Sequence, residues 1–313
     1  MKKPNPFPYS DNNKRYYSYD YYLRTTYGSK CAKVPLDAGF TCPNRDGTKA
    51  FGGCTFCSSR GSGDFCADVS LSLEEQFEKT RELYVNKWGE VRYIPYFQAH
   101  TNTYGSVGKI RSMLDTALGF EGCVGIALAT RADCLEDEVV DLLFEYSKKT
   151  DLTVELGLQT VHDKTAAMIN RAHTYKEFLE GYEKLRGLDV CIHIINGLPG
   201  ETPEMMLETA SELARLKPRF VKFHLLHMIA GTPICEDFLN GGFKAMTREE
   251  YVSTVVSQLE ILPPDTVIER LTGDGAEKDL VAPLWSKKKL VVMNEIDKEF
   301  IRRGSVQGSK YKG

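Results

Sequence analysis

The sequence predicts an α/β fold, a partial (β/α)6 barrel of the TIM type with a small C-terminal α/β extension, and two observations predict it. Six short apolar, β-branched runs recur at Ala32 to Leu36, Tyr93 to Phe97, Val124 to Ala129, Leu152 to Leu156, Val190 to Ile195 and Phe220 to Leu225. Amphipathic stretches with helical spacing separate them, which is the pattern of βα units on a parallel sheet. The second observation is placement: polar, glycine-containing segments follow the runs, at the strand ends where such folds gather their chemistry. Six units fall short of the eight that close a barrel, so an open sheet is expected over residues 31–235.

The elements follow in order. An aromatic leader with Tyr16, Tyr17, Tyr19, Tyr21 and Tyr22 occupies residues 1–30. Leu73 to Tyr84 reads as a helix that opens with a capping box, Ser72 and Glu75. Val107 to Leu118, Glu136 to Lys148, Tyr175 to Leu185 and Pro203 to Leu216 carry helical apolar spacing between later strands. The extension, residues 236–313, is expected to pack on the barrel with a helix near Arg248 to Leu259, a strand near Val267 to Leu271 and a basic helix near Lys288 to Arg302. No internal repeat, low-complexity tract or long linker interrupts the pattern.

Composition places the chain among globular proteins: 42% of its 313 residues are hydrophobic and 27% charged. No run approaches the roughly 18 apolar residues of a membrane span. Met1 to Tyr9 is basic and proline-containing without an apolar core, so a cytoplasmic protein is expected. The net charge of -3 gives no global attraction for nucleic acid. Local basic groups sit at both ends (Lys2, Lys3, Lys14, Arg15; Lys287, Lys288, Lys289, Arg302, Arg303, Lys310, Lys312), where solvated surface is the default reading.

Nine cysteines in a reducing compartment do not suggest a disulfide framework. Their distribution is more informative. Cys31, Cys42, Cys54, Cys57 and Cys66 cluster early, and Cys42, Cys54 and Cys57 stand in a C-x11-C-x2-C loop straight after the first strand. Thiolates suit iron-sulfur clusters or zinc, and Gly52 and Gly53 let backbone approach a metal closely. With Cys66 as a fourth ligand the loop would close around a structural zinc; with three cysteines a four-iron cluster keeps one iron open. The loop leads directly into the βα array rather than into a small β-framework, which favours iron. Other strand ends carry Gln98, His100 and Asn102, then Thr130, Arg131 and Asp133, then Gln159, then Asn196 to Gly200, then His224 and His227.

These segments, CPNRDGTKAFGGCTFC, YFQAHTNTY, ATRADCL, ELGLQTVHD, NRAHT, NGLPGET, FHLLHMIAGTPI and RLTGDG with APLWSKKK, resemble the radical S-adenosylmethionine (SAM) superfamily, and within it the bacterial YtqA/YhcC family, over nearly the whole chain. That family is distantly related to the elongator catalytic subunit and to oxygen-independent coproporphyrinogen oxidase. The resemblance implies that Cys42, Cys54 and Cys57 ligate three irons of a [4Fe-4S] cluster, SAM chelating the fourth, and that reductive cleavage of SAM gives a 5'-deoxyadenosyl radical. Phe56 stands where the superfamily often places an aromatic beside adenine. Gln98, Ala99 and His100 occupy the position of the GGE-type motif that binds the methionyl ammonium; this chain lacks both glycines and the glutamate, which leaves backbone carbonyls for that role. Gln159 and Arg171 match residues that face SAM's ribose and carboxylate in the oxidase branch. His193 replaces an acidic residue there, Asn196 and Gly197 open the turn under the adenine, and Arg131 and Asp133 either contact SAM or substrate or pair with one another.

His224, His227, Arg270 and Asp274 are the substrate-facing candidates. One branch of the family is associated with the wobble uridine of tRNA, taking 5-carboxymethylaminomethyl-uridine to 5-aminomethyl-uridine. The resemblance therefore implies tRNA as partner and a flavodoxin or ferredoxin as electron donor. A small-metabolite substrate, or a zinc-stabilised binding protein, are the other readings.

Overall fold

The computed structural model describes residues 5–273 and 278–313. Its strands are β1 (Cys31–Leu36), β2 (Arg92–Phe97), β3 (Gly125–Thr130), β4 (Asp151–Gln159), β5 (Asp189–Asn196), β6 (Phe220–Leu225), β7 (Met228–Ile229), β8 (Val267–Arg270) and β9 (Leu280–Ala282). Its helices are α1 (Tyr19–Tyr27), α2 (Leu73–Trp88), α3 (Val107–Leu118), α4 (Asp137–Ser147), α5 (Asp163–Met168), α6 (Tyr175–Lys184), α7 (Pro203–Leu216), α8 (Pro233–Leu239), α9 (Arg248–Ile261) and α10 (Lys289–Arg303). Seven strands form one sheet in the order β1-β2-β3-β4-β5-β6-β8, and the short β7 and β9 pair separately. Neighbours in the sheet are neighbours in sequence apart from the last step, the singly wound order of an open barrel. The registers of β1 with β2, β2 with β3, β3 with β4 and β6 with β8 are parallel.

By its contacts the chain divides into two compact units. One comprises Leu23–Gly157 and Asn170–Cys191. Here β2 and β3 are buried along nearly their whole length, as parallel strands are when both faces are covered. Helix α2 starts at the capping box of Ser72 and Glu75, and α6 starts at a second one, Thr174 with Glu177. Helices α3 and α4 are tied by Arg111, which donates to both oxygens of Glu145 at 2.8 and 2.7 Å, and by Tyr146, whose hydroxyl donates to Asp115 Oδ1 at 2.5 Å. Lys33 on β1 reaches Glu155 on β4 at 2.5 Å, with Glu155 fully buried. Strands two places removed from adjacency would lie about 14 Å apart in a flat sheet. The pair therefore marks this face of the sheet as concave.

The other unit comprises Met1–Tyr22, Leu158–Ile169 and Ile192–Gly313. Helix α7 begins with Pro203 after the cap Thr202, and ends on Lys217 in the left-handed conformation. Helix α9 opens with the capping box Thr247 and Glu250, and α10 ends on Gly304 at φ 64°. The strand expected in the C-terminal extension is β8, and it joins the main sheet as its seventh strand, pairing Phe220 with Val267 and Val221 with Ile268. Ile268 in turn donates its N–H to Tyr17 O at 2.7 Å, so the aromatic leader covers the outer edge of β8. The basic end of α10 is largely neutralised. Arg302 pairs with Glu299 at 2.7 Å, Arg303 with Glu299 at 2.6 Å and Glu260 at 3.3 Å, and Lys310 with Glu260 at 2.5 Å. Among the described residues no helix is long and apolar enough to cross a membrane.

Candidate functional site: a three-cysteine loop

The loop between β1 and α2 is shaped by its own backbone. Cys42 O accepts from the N–H groups of Arg45 and Asp46 at 2.8 and 3.2 Å, Gly53 N donates to Asn44 O at 2.8 Å, and Cys57 N donates to Cys54 O at 3.0 Å. Gly52 and Gly53 have φ of 81° and 78°, a turn closed to side chains at little cost only by glycine. The three cysteines are free and half-buried. A hydrogen bond from Cys57 draws the Cys54 thiol down to about 7 against the effect of burial, and the Arg131 charge, the Asn44 amide and the Arg171 charge add to it. The same pairing, with burial, pushes Cys57 well up, and the charges of Cys54 and Cys42 act in the same direction.

Two other buried thiols differ. Burial, then Asp37, pushes Cys66 up to about 12, and burial, then Asp133, pushes Cys134 up to about 12. A carboxylate beside a thiol opposes the thiolate that metal binding needs, whereas arginines beside Cys54 promote it. A donor set of three mutually interacting thiols beside two guanidinium groups fits a cluster held by three cysteines.

The segment after α5 anchors this loop. Four successive carbonyls accept side-chain N–H groups: Asn170 O from Asn44 Nδ2 at 2.5 Å, Arg171 O from Arg131 Nη1 at 2.8 Å, Ala172 O from Arg131 Nη2 at 3.4 Å and His173 O from Arg171 Nε at 3.0 Å. Asn170 returns the contact, its Nδ2 donating to Phe51 O at 3.0 Å and Gly53 O at 2.8 Å. Asn170 and Ala172 both sit at positive φ, 51° and 61°. Asparagine tolerates that conformation, whereas for alanine it costs about 1 kcal/mol or more, so the surrounding bonds hold the segment in place.

Arg131 and Asp133, at the end of β3, pair through both arms at 2.9 Å. Lys49 from the cysteine loop joins Asp133 at 2.7 Å. Burial alone would raise Asp133, but the bonds and charge of Arg131, with His173 and Lys49, outweigh it and hold the carboxyl at about 2. His173 is neutral: burial, then Arg171 and Arg131, brings it down to about 3, and neither ring nitrogen has a hydrogen-bond partner among the described residues. Arg171 is fully buried.

After β2, Gln98 Nε2 donates to Ser62 O at 2.8 Å, Ala99 is buried against Gly63, and His100 takes φ 58° with its N–H on Gly61 O at 2.8 Å. Burial, then Arg45, lowers His100. Asn102 donates to Phe97, Ala99 and Ala129 carbonyls at 2.9, 3.0 and 2.9 Å, which fixes the loop these residues share. Phe56 is half-buried between Cys54 and Cys57. The structure thus gathers Cys42, Cys54, Cys57, Phe56, Gln98, Ala99, His100, Arg131, Asp133 and Arg171 in the first unit.

Gln159, His193, Asn196 and Gly197 belong to the other unit. Gln159 has φ 60°. The Asn196 amide exchanges two hydrogen bonds of 2.8 Å with Gln258, and Gly197 packs against Met246 at φ 84°. The His193 and His224 rings lie 5.2 Å apart; burial, then His193 and Arg270, holds His224 well below the usual imidazole range. Gly273 adjoins both His224 and His227, while Asp274 lies outside the described residues. Glu201 went unnoticed in the sequence: burial raises its carboxyl, and Thr160 donates to it at 2.5 Å. Asn44, Lys49, Asn170 and His173 also escape sequence reasoning, although the polar run Asn44-Arg45-Asp46 directly beside a ligand-spaced cysteine is a signal for Asn44.

Residues 42–213 match the family described as Radical SAM superfamily, and 218–302 match the Radical_SAM C-terminal domain. The chain is 48% identical over 310 residues to YtqA of Bacillus subtilis (strain 168), covering 98% of this chain and 96% of that one. It is 30% identical over 158 residues to the tRNA uridine(34) acetyltransferase of Methanocaldococcus jannaschii, covering 49% of this chain and 28% of that protein. Among solved structures, an N-terminally deleted Elp3 of the archaeon Methanocaldococcus infernus superposes with TM-score 0.65 at 19% identity, over 89% of this chain and 64% of that one, a likeness of fold.

Proposed function

The chain belongs to the radical SAM superfamily, and we propose that it is a tRNA-modifying enzyme acting on the wobble uridine, taking 5-carboxymethylaminomethyl-uridine to 5-aminomethyl-uridine. The family uses a [4Fe-4S] cluster and SAM. In this reading Cys42, Cys54 and Cys57 hold three irons, and the fourth is left for SAM. The observation that carries it is the interacting trio of thiols beside Arg131 and Arg171. When bound, the cluster and SAM supply a 5'-deoxyadenosyl radical for hydrogen abstraction, and a reductant such as flavodoxin or ferredoxin supplies the electron.

The chain's own residues do the positioning. The Arg131–Asp133–Lys49 network and the carbonyls of residues 170–173 hold the cysteine loop, and the arginines favour anionic sulfur. Phe56, Gln98, Ala99, His100 and Arg171 are assigned to SAM from this unit, Arg171 because a guanidinium fork suits a carboxylate. His224, His227 and Arg270 are assigned to the substrate. Support for a tRNA uridine substrate comes from the stretch shared with the archaeal uridine(34) enzyme. A wobble base is already unpaired, so presenting it for chemistry is inexpensive. The enzyme then works in the cytoplasm with its RNA and reductant.

The test is the nucleoside profile of tRNA from a strain lacking the protein. Accumulated 5-carboxymethylaminomethyl-uridine is expected; an unchanged wobble position, from protein that cleaves SAM when reduced, would sink the RNA assignment and leave the radical chemistry standing.

A further inference from the structure

We infer that Asn44 is a positioning residue that sets the reduction potential of the cluster through an N–H···S hydrogen bond to Cys54. The inference rests on Cys42, Cys54 and Cys57 as the ligands and is independent of the RNA substrate. Asn44 is fully buried, and its Nδ2 lies 3.5 Å from Cys54 Sγ and 2.5 Å from Asn170 O. The second contact decides the amide's orientation: a carbonyl at Asn170 accepts, so the nitrogen must face it, and its remaining proton goes to the sulfur.

The amide oxygen supports a role beyond folding. Asn44 Oδ1 is buried without a hydrogen-bond partner among the described residues, an arrangement that destabilises the apoprotein. An amide placed only to tie the loop to Asn170 would not need to leave its carbonyl stranded. Asn170 fixes the arrangement from the other side by donating to Phe51 O and Gly53 O on the approach to Cys54, from a backbone held at φ 51°. A hydrogen bond to a ligating sulfur withdraws negative charge from it and favours the reduced, more anionic cluster. Asn44 therefore makes the first electron easier to accept.

The experiment uses full-length protein reconstituted anaerobically with iron and sulfide, as wild type, Asn44→Ala and Asn170→Ala, with potentials from EPR-monitored redox titration. Asn44→Ala is expected to keep four irons per chain and to shift to a more negative potential; Asn170→Ala is expected to shift the same way by less. An Asn44→Ala protein with full iron and an unmoved potential overturns the inference. Should that variant lose its cluster, the wild type decides: protein labelled with 15N-asparagine must show a 15N hyperfine coupling in the reduced cluster, and its absence overturns the inference. A wild type that takes up no four-iron cluster removes the ligand assignment and this inference with it.

Discussion

Arg131 and Asp133 grip one another through two bonds of 2.9 Å at the end of β3, and the same guanidinium holds the carbonyls of Arg171 and Ala172. Both side chains are nearly buried, so removing one leaves the other's charge uncompensated, a loss of about 3 kcal/mol. Asp133→Asn should lower the stability of the iron-free protein by that amount in urea titration. A change below about 1 kcal/mol would show that the carbonyls of Arg171 and Ala172, with solvent, suffice for the guanidinium once Asp133 is neutral.

The site also makes the fold acid-sensitive. His173 falls from 6.5 to about 3 in the folded protein, so below pH 6.5 the unfolded chain binds a proton that the folded chain refuses. Stability then declines as pH drops from 6.5 towards 3, by up to about 1.4 kcal/mol per pH unit. Asp133, lowered from 3.8 to about 2, adds a second decline as pH falls from 3.8 to about 2. His173→Phe should flatten the loss between pH 6.5 and 5 in denaturant melts of apoprotein; a slope equal to wild type would place the titration elsewhere.

Gly181 in α6 faces the backbone of Ala132 so closely that a methyl group would overlap its carbonyl. Gly181→Ala should destabilise by about 1–3 kcal/mol even though alanine favours helix by about 1 kcal/mol. Gly108 in α3 has open space around it, and Gly108→Ala should be neutral or stabilising. Thermal melts of both variants compare the two, and equal Tm values would refute the close approach.

The Asn196 and Gln258 amides are mutual partners, and Gln258 also donates to Met206 O at 3.0 Å. Asn196→Ala should cost about 2 kcal/mol because it strands a buried amide, while the Asn196→Ala, Gln258→Ala double variant should cost less than the sum of the singles. Additive losses in a double-mutant cycle would mean the two side chains act separately.

Much of the fold was legible because period and punctuation are local. The runs at Ala32 to Leu36 and Phe220 to Leu225 are strands within a residue of their expected ends, and Ser72 and Glu75 make the expected capping box. Val267 to Leu271 is legible as a strand, but its place in the main sheet is not, since sheet membership depends on partners far away: β6 on one side and Tyr17 on the other. At the site, cysteine spacing marks the loop, whereas Asn44 and Asn170 meet across 126 positions and nothing local announces that. The positive φ of Ala172 is likewise invisible, because alanine's own preferences point the other way.

The Lys33–Glu155 pair sets an order of events for the chain as it leaves the ribosome. An ammonium committed to the hollow face of β1 finds this carboxylate only after more than a hundred further residues have emerged. Until then the ammonium lies over the Tyr96 ring, 4.9 Å from its centroid, but lacks this carboxylate, so burial of that face is less favourable and the first three units can loosen again. The fourth strand acts as the keystone of vectorial folding. Stalling translation before Glu155 should yield nascent chains that remain protease-sensitive, and resuming it past β4 should protect them.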